Sequence, residues 1–153
     1  MREVQEWLNE TTTALIENYN RLGLRASGEW EQSLKGTHEE TDTGIKVIIS
    51  GAKYTEQLSI GRKPGKMPPR QVILDWIREK NIQSELKPQT LAYLIQRKIG
   101  TEGIKVPNKY NAGGLVTDVL TNERINDLIK SIGNAVVKSQ ASEILTSLKN
   151  GSK

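Results

Sequence analysis

Residues 61–69 read GRKPGKMPP, and they restrict the fold more than any other part of the chain. Proline fixes φ and lacks a backbone N–H, so three prolines and two glycines in nine residues interrupt any helix or interior strand. The segment is therefore predicted to be a loop. Pro69 suits the first position of a following helix, where its missing N–H removes no hydrogen bond.

The totals define the class of protein. A length of 153 residues fits one domain, and neither a repeat nor a flexible linker divides it. We predict a single domain over residues 1–153, with a frayed tail at 149–153. The absence of cysteine excludes disulfides and thiolate metal sites. No apolar run approaches the ~20 residues of a membrane span, and the charged start MREVQE is unlike a secretory signal. We expect synthesis in the cytoplasm and no membrane contact.

Residues 2–22 have the apolar spacing of an amphipathic helix that ends near Gly23. Its stripe consists of Val4, Leu8, Leu15, Tyr19 and Leu22.

Residues 28–60 change to a period of two, which is typical of strands. Trp30 and Leu34 alternate with polar residues and predict a first strand, and Ile45, Val47 and Ile49 predict a second. The polar stretch 38–44 would then be a long hairpin loop. Residues 54–60 fit a short helix or a third strand equally well.

The second half of the chain is helical in pattern. A helix over 69–80 is expected to turn Val72, Ile73, Trp76 and Ile77 inward. Another helix begins at Pro88 and closes near Gly100 or Gly103, and residues 105–114 are irregular. A long helix is predicted over 115–148. Its apolar stripe is Ile125, Leu128, Ile129, Ile132 and Val136. The predicted fold class is α+β: an N-terminal helix, a small antiparallel β-sheet, two short helices and a long C-terminal helix.

No pattern in the sequence is typical of catalysis. The single histidine, His38, lies in a polar stretch beside Glu39 and Glu40, without the nucleophile of a triad. Gly65-Lys66 is followed by Met67-Pro68 rather than by the Ser or Thr of a phosphate-binding loop. No acidic or histidine pair has metal-ligand spacing. We expect no enzyme activity, no cofactor and no metal.

The formal net charge of +4 has a local source in Arg62, Lys63, Lys66 and Arg70, with no acid among them. Three interpretations stay open. The cations are solvated in a turn, they contact an acidic patch on a neighbouring subunit or partner, or Arg62, Lys63 and Lys66 face DNA phosphates.

Tryptophans are also candidates for contact residues. Trp30 and Trp76 lie on apolar faces and are expected in the core. Trp7 lies at the margin of its helix stripe, as an interface anchor or as a half-buried edge residue.

Four segments in this order resemble tail-completion proteins, also called neck or head–tail connector proteins, of tailed bacteriophages. They are RASGEWEQSL (25–34), the stretch from Tyr54 through the 61–69 loop, ILDWIREK (73–80) and LAYLIQRKI (91–99), which is followed by Gly103-Ile104. The likeness covers about residues 25–104. Residues 105–114 depart from it, because the family usually places a Thr and paired aromatics there and this chain has only Tyr110.

The resemblance implies a non-catalytic virion protein that forms a homo-oligomeric ring of about six or twelve copies between the portal or connector and the tail proteins. The candidate contact residues for a neighbouring subunit or partner are Arg62, Lys63, Pro64, Lys66, Met67 and Tyr110. A ring needs two different faces on each subunit. The basic loop could meet acidic residues such as Glu39, Glu40 and Asp42 of the next copy. The alternative is a small basic nucleic-acid-binding protein, whose affinity would fall steeply with added salt.

Overall fold

The protein was analysed as a computed structural model that describes residues 2–150, with side chains described for residues 2–147. In chain order the elements are α1 (Arg2–Arg21), α2 (Glu29–Ser33), β1 (Lys35–Thr41), β2 (Gly44–Ser50), α3 (Thr55–Ile60), β3 (Gly61–Arg62), α4 (Arg70–Glu79), α5 (Pro88–Glu102), β4 (Ile104–Lys105) and α6 (Asn122–Asn150). The fold is α+β, as predicted. The predicted frayed tail, 149–153, falls outside the residues whose side chains are described.

Helix α1 is the element against which most of the chain packs. Four residues of its predicted stripe, Val4, Leu8, Leu15 and Tyr19, are buried, whereas Leu22 follows the end of the helix and is only partly buried. Near the end of α1, the Asn18 side chain donates to the carbonyl of Leu115 over 3.0 Å. Near its start, Val4 packs with Leu128 of α6. Near the start of α6, the Arg124 guanidinium donates to Thr11 Oγ1 over 3.4 Å, while Leu128, one turn further along, is buried with Val4 and Leu8. The two helices therefore run antiparallel, and α6 continues past the start of α1.

The β-hairpin differs from the prediction in position and in its loop. Strands β1 and β2 pair from Lys35↔Ser50 to Thr41↔Gly44, so the turn is only Asp42-Thr43. His38 lies within β1 opposite Val47, not in a loop. The polar sequence KGTHEET forms a strand because only the inner face of the hairpin needs apolar cover.

The predicted inner face of the hairpin is confirmed. Ile45, Val47 and Ile49 pack on the cluster of Val4 and Leu8. Gly36 of β1 allows this close packing, because a Cβ there would lie 2.9 Å from a methyl carbon of Leu8. The hairpin therefore runs along α1, with its turn toward the start of that helix.

The segment around Trp30 is the helix α2 and not the predicted strand. Gly28, with φ 84°, turns the chain into it, and Ser27 Oγ accepts the Glu29 N–H over 3.3 Å. Trp30 is buried, its ring centroid is 4.5 Å from that of Tyr19, and its Nε1 donates to Thr55 Oγ1 over 2.9 Å. This tertiary environment outweighs the alternating pattern.

The long helix begins at Asn122, seven residues later than predicted. Leu115 and Val119 form a separate turn that is buried with Tyr19 and Trp30. Gly113 and Gly114, both with φ 80°, redirect the chain into that turn. Burial in this cluster also raises the pKa of the Tyr19 phenol, so the hydroxyl stays protonated at neutral pH.

Helices α4 and α5 form a helical hairpin with its own small core of Ile73, Ile77 and Ala92. Two predicted inward residues are not buried, since Val72 and Trp76 are exposed on the flank of α4. Pro69 caps α4 rather than beginning it, and α5 has the predicted bounds. Residues 55–60, which fitted either type of element, are helical.

The molecule has much exposed surface for its mass. The accessible surface is 11188 Å², about 1.4 times the roughly 7,800 Å² expected of a compact monomer of 17.1 kDa. The predicted stripe of α6 shows where part of it lies. Leu128 is buried, whereas Ile125, Ile129 and Val136 are exposed. Beyond Ile132, no residue of α6 belongs to a core cluster among the side chains described.

Replacing Trp30 by alanine tests the importance of the main core. We expect Trp30→Ala to lower the free energy of unfolding by about 3–5 kcal/mol, the cost of deleting a buried tryptophan. Trp76 is 39% exposed, so Trp76→Ala should cost no more than about 2 kcal/mol. Urea denaturation of both variants measures the difference. Equal losses would contradict this description of the core.

Candidate interface surfaces

The basic loop is held by contacts between its backbone and helix α5. Strand β3 pairs antiparallel with β4, with Gly61 opposite Lys105 and Arg62 opposite Ile104. The Gly65 N–H donates to the Gly100 carbonyl over 2.8 Å. These bonds fix both the start and the middle of the loop.

Side chains complete the support of the loop. Gln96 Nε2 of α5 donates to the Pro68 carbonyl over 2.6 Å, and Pro68 is buried. The Arg62 guanidinium donates to the Lys66 carbonyl across the loop. Polar contacts therefore hold the loop in one shape before any partner binds.

Two glycines make the β3–β4 pairing sterically feasible. At Gly61, with φ 91°, a Cβ would lie 2.1 Å from the Ile104 carbonyl oxygen. At Gly103, with φ 73°, it would lie 2.2 Å from the Arg62 carbonyl oxygen. Any side chain at either position would push the two segments apart.

The sequence-predicted contact residues of this loop divide into two groups. Lys63, Pro64, Lys66 and Met67 are exposed. Arg62 is half-buried, and its guanidinium is used within the loop. The lysines are thus the cations best placed to meet a partner. Arg70, just after the loop, places its guanidinium 5.5 Å from the centre of the Tyr93 ring.

Tyr110 lies in a second ordered loop and is 77% exposed. Asn108 Oδ1 accepts the backbone N–H groups of Tyr110 and Asn111 over 2.8 and 3.0 Å. The buried Asn111 donates to the Leu58 carbonyl and accepts the Gly113 N–H. These asparagine side chains hold the loop that presents Tyr110.

The two loops leave opposite ends of the β3–β4 pair. The basic loop continues from Arg62, whose partner is Ile104, and the Tyr110 loop continues from Lys105, whose partner is Gly61. Residues of both loops were predicted from the sequence as contact residues, whereas the asparagines that fix the second loop were not. The Asn-x-x-Asn spacing after Pro107 was a usable signal, because asparagine side chains often stabilise turns.

The acidic residues Glu39, Glu40 and Asp42 lie at the exposed turn of the β-hairpin. Glu39 forms a salt bridge of 3.9 Å with Lys46 of β2, and both side chains are mostly exposed. Glu40 and Asp42 belong to no salt bridge among those found in the described part of the chain. Two carboxylates are thus presented at this turn.

The acidic turn and the basic loop lie toward opposite ends of α1. The hairpin turn points to the start of α1, where Ile45 packs with Val4. The basic loop begins directly after α3, whose Leu58 packs on the cluster of Leu15 and Tyr19 in the second half of α1. The exposed carboxylates of the hairpin turn and the exposed lysines of the basic loop therefore lie toward different ends of α1.

Trp7 is half-buried at the edge of the α1–α6 contact, where its Nε1 donates to the Arg124 carbonyl over 2.9 Å. This bond within the chain favours the edge-residue interpretation over the interface anchor.

The residues that the structure describes contain neither a candidate metal site nor a helix that could span a membrane. No group of three or more histidine and acidic side chains there could hold a metal ion. No helix within the same residues has the length and apolar character to cross a bilayer.

Tyr54 has a raised pKa because it is partly buried and lies near the carboxylates of Glu29 and Glu79.

Comparison with protein-family models, with curated proteins and with solved structures gave no match.

An alanine substitution tests whether the β3–β4 pairing holds the basic loop. Gly61→Ala should free the loop and raise the rate of native-state trypsin cleavage after Lys66 by about tenfold, since proteolysis reports local opening. Gly65→Ala is the matched control, because Gly65 also has a positive φ but no atom lies within 4 Å of its added Cβ. Equal cleavage rates of the two variants would show that the pairing is not what holds the loop.

Proposed function

We propose that this chain is a non-catalytic structural subunit of an oligomeric ring at the head–tail junction of a tailed bacteriophage, where it joins the portal or connector to the tail. The resemblance in residues 25–104 suggests the setting. The observation that carries the proposal is the opposite charge of two exposed surfaces that lie toward different ends of α1, with Lys63 and Lys66 on one and Glu40 and Asp42 on the other. A head-to-tail contact between copies brings such ends together.

The ordered loops favour binding to another folded chain. The basic loop is held by the Gly65–Gly100 and Gln96–Pro68 hydrogen bonds, and the Tyr110 loop by Asn108 and Asn111. A loop that is already ordered loses less conformational entropy on docking than a flexible one. Exposed tyrosine and methionine beside such loops are side chains that interfaces favour.

The large exposed surface supports the same function. A standard protein–protein interface buries about 800 Å² on each partner, and a ring subunit has two such faces. The surface beyond that of a compact monomer is roughly 3,400 Å², which is enough for both faces. Three small core clusters in place of one large core are also consistent with a subunit stabilised by its neighbours.

The native mass of the purified chain tests the proposal. A closed ring of about six or twelve copies is the expected result. A strict monomer that binds DNA, with an affinity that collapses on adding salt, would support the nucleic-acid-binding alternative and contradict the ring.

Charge reversal tests the two ends. Lys63→Glu combined with Lys66→Glu should abolish the ring without unfolding the monomer, because both side chains are exposed. The control is Lys87→Glu combined with Arg97→Glu, which changes the net charge equally at two exposed positions, one at the N-cap of α5 and one within it. Native mass and circular dichroism measure assembly and folding.

Restoring complementarity provides a second readout. Adding Glu40→Lys and Asp42→Lys to the charge-reversed loop should recover the ring, since the attraction between the ends is then reversed in sign on both sides. An intact ring in the loop variant alone, or no recovery in the combined variant, would show that the basic loop and the acidic turn do not meet in the ring.

A further inference from the structure

The positive charge of the chain is concentrated in two segments that carry no acidic residue. Residues 61–70 and 87–101 together contain seven of the 22 lysines and arginines and none of the 18 acidic residues. Their net charge is +7, and since the whole chain carries +4, the remaining residues sum to −3. Residues 71–86, which separate the two segments, are not free of acid, so it is the fold that brings these cations together.

Both segments meet along one side of α5. The Gly65 N–H donates to the Gly100 carbonyl over 2.8 Å, and the Arg70 guanidinium lies over the Tyr93 ring, 5.5 Å from its centre. Tyr93, Arg97 and Gly100 follow one another at spacings of four and three residues, so they lie on one side of the helix. Arg70 and Arg97 are therefore both next to Tyr93, beside the basic loop. These three residues are here called the Arg70–Tyr93–Arg97 cluster.

The two arginines of the cluster have no acidic partner in the part of the chain that the structure describes. Both are exposed, and neither belongs to a salt bridge found among residues 2–147. Asp75, the first acid of α4, already accepts hydrogen bonds from Gln71 and Arg78. Like charges on one surface raise its positive potential, which attracts a polyanion.

The cluster combines the two kinds of side chain that hold a nucleic-acid strand. A guanidinium that stacks on an aromatic ring keeps the N–H donors at its edge, where they can pair with two oxygens of a phosphate. Tyr93 is 42% exposed, and an exposed aromatic ring can stack on a base. Residues 61–70 contain no aromatic residue, so this combination exists only in the folded chain.

We propose that the Arg70–Tyr93–Arg97 cluster binds single-stranded nucleic acid, with its guanidinium groups on backbone phosphates and Tyr93 stacked on a base. The contact uses neither Lys63 nor Lys66, so it goes beyond the proposed ring and does not depend on it. A single strand is favoured over a duplex because its bases are free to stack on a side chain. Binding is independent of sequence, since phosphates carry no sequence information and every base has a face to stack.

Fluorescence anisotropy of a labelled oligothymidylate of about 15 nucleotides, the upper end of the length that one small binding domain covers, measures the binding to the full chain. Arg70→Gln with Arg97→Gln should weaken it. The same change should make the slope of log affinity against log salt concentration shallower by about 1.4, which is ~0.7 for each lost phosphate contact.

Tyr93→Leu separates stacking from charge. It should weaken binding by about tenfold or more, the effect of losing one stacked base, and should leave the salt slope unchanged because no phosphate contact is lost. A duplex of the same length should bind the unaltered chain more weakly than the single strand. Equal binding of the duplex, or no effect of Tyr93→Leu, would overturn the inference.

The matched control is Lys130→Gln with Lys138→Gln, which removes the same charge from exposed positions of α6 and should leave the salt slope unchanged. A loss as large as that of the arginine pair would show diffuse attraction and no site at the cluster. Displacement of the oligonucleotide by polyglutamate as readily as by unlabelled strand would assign the arginines to an acidic protein instead.

Native mass and circular dichroism of the same variants keep this inference apart from the proposed function. The substituted side chains are exposed, so the fold and the ring should both persist. A ring that does not bind the oligonucleotide would overturn this inference and leave the ring standing. A monomer that binds it with the dependence on Tyr93 and on salt given above would contradict the ring and support this inference.

Discussion

The structure depends on how little apolar surface the chain can bury within itself. The cores are small and separate: one around Trp30 and Tyr19, one where α1, the hairpin and α6 meet, and one between α4 and α5. Burial of apolar surface is the main favourable term in folding, so covering part of this surface in the proposed ring would add stability. The large accessible surface and the exposed apolar residues of α6 beyond Ile132, such as Val137 and Ile144, both follow from this shortage.

Backbone contacts join the basic loop and the Tyr110 loop to the rest of the chain. The β3–β4 pair, with Gly61 and Gly103 at the points of closest approach, joins the basic loop to the end of α5. Asn111 links the Tyr110 loop to the Leu58 carbonyl. The chain thus holds two surface loops in defined positions with few apolar residues.

Much of this fold is predictable from local patterns, and the errors have physical causes. The stripe of α1 and the start of α5 at Pro88 follow from helical periodicity and from the position of proline. The segment around Trp30 is helical despite its alternation, because a buried tryptophan must reach both Tyr19 and Thr55. The strand of His38 has too few apolar residues to be recognised by pattern.

The candidate surfaces were predictable only in part. Exposure of Lys63 and Lys66 follows from a loop rich in proline and glycine. The role of Arg62 within the loop, the asparagines around Tyr110 and the Arg70–Tyr93–Arg97 cluster depend on contacts between residues distant in sequence, for which no local pattern exists.

Hydrogen–deuterium exchange of residues 133–147 across a range of protein concentrations measures whether another copy of the chain stabilises this part of α6. The backbone amides of these residues should exchange fast in dilute solution, and their protection should rise with protein concentration. Exchange that is equally slow at every concentration would contradict it, because the helix would then be stable on its own.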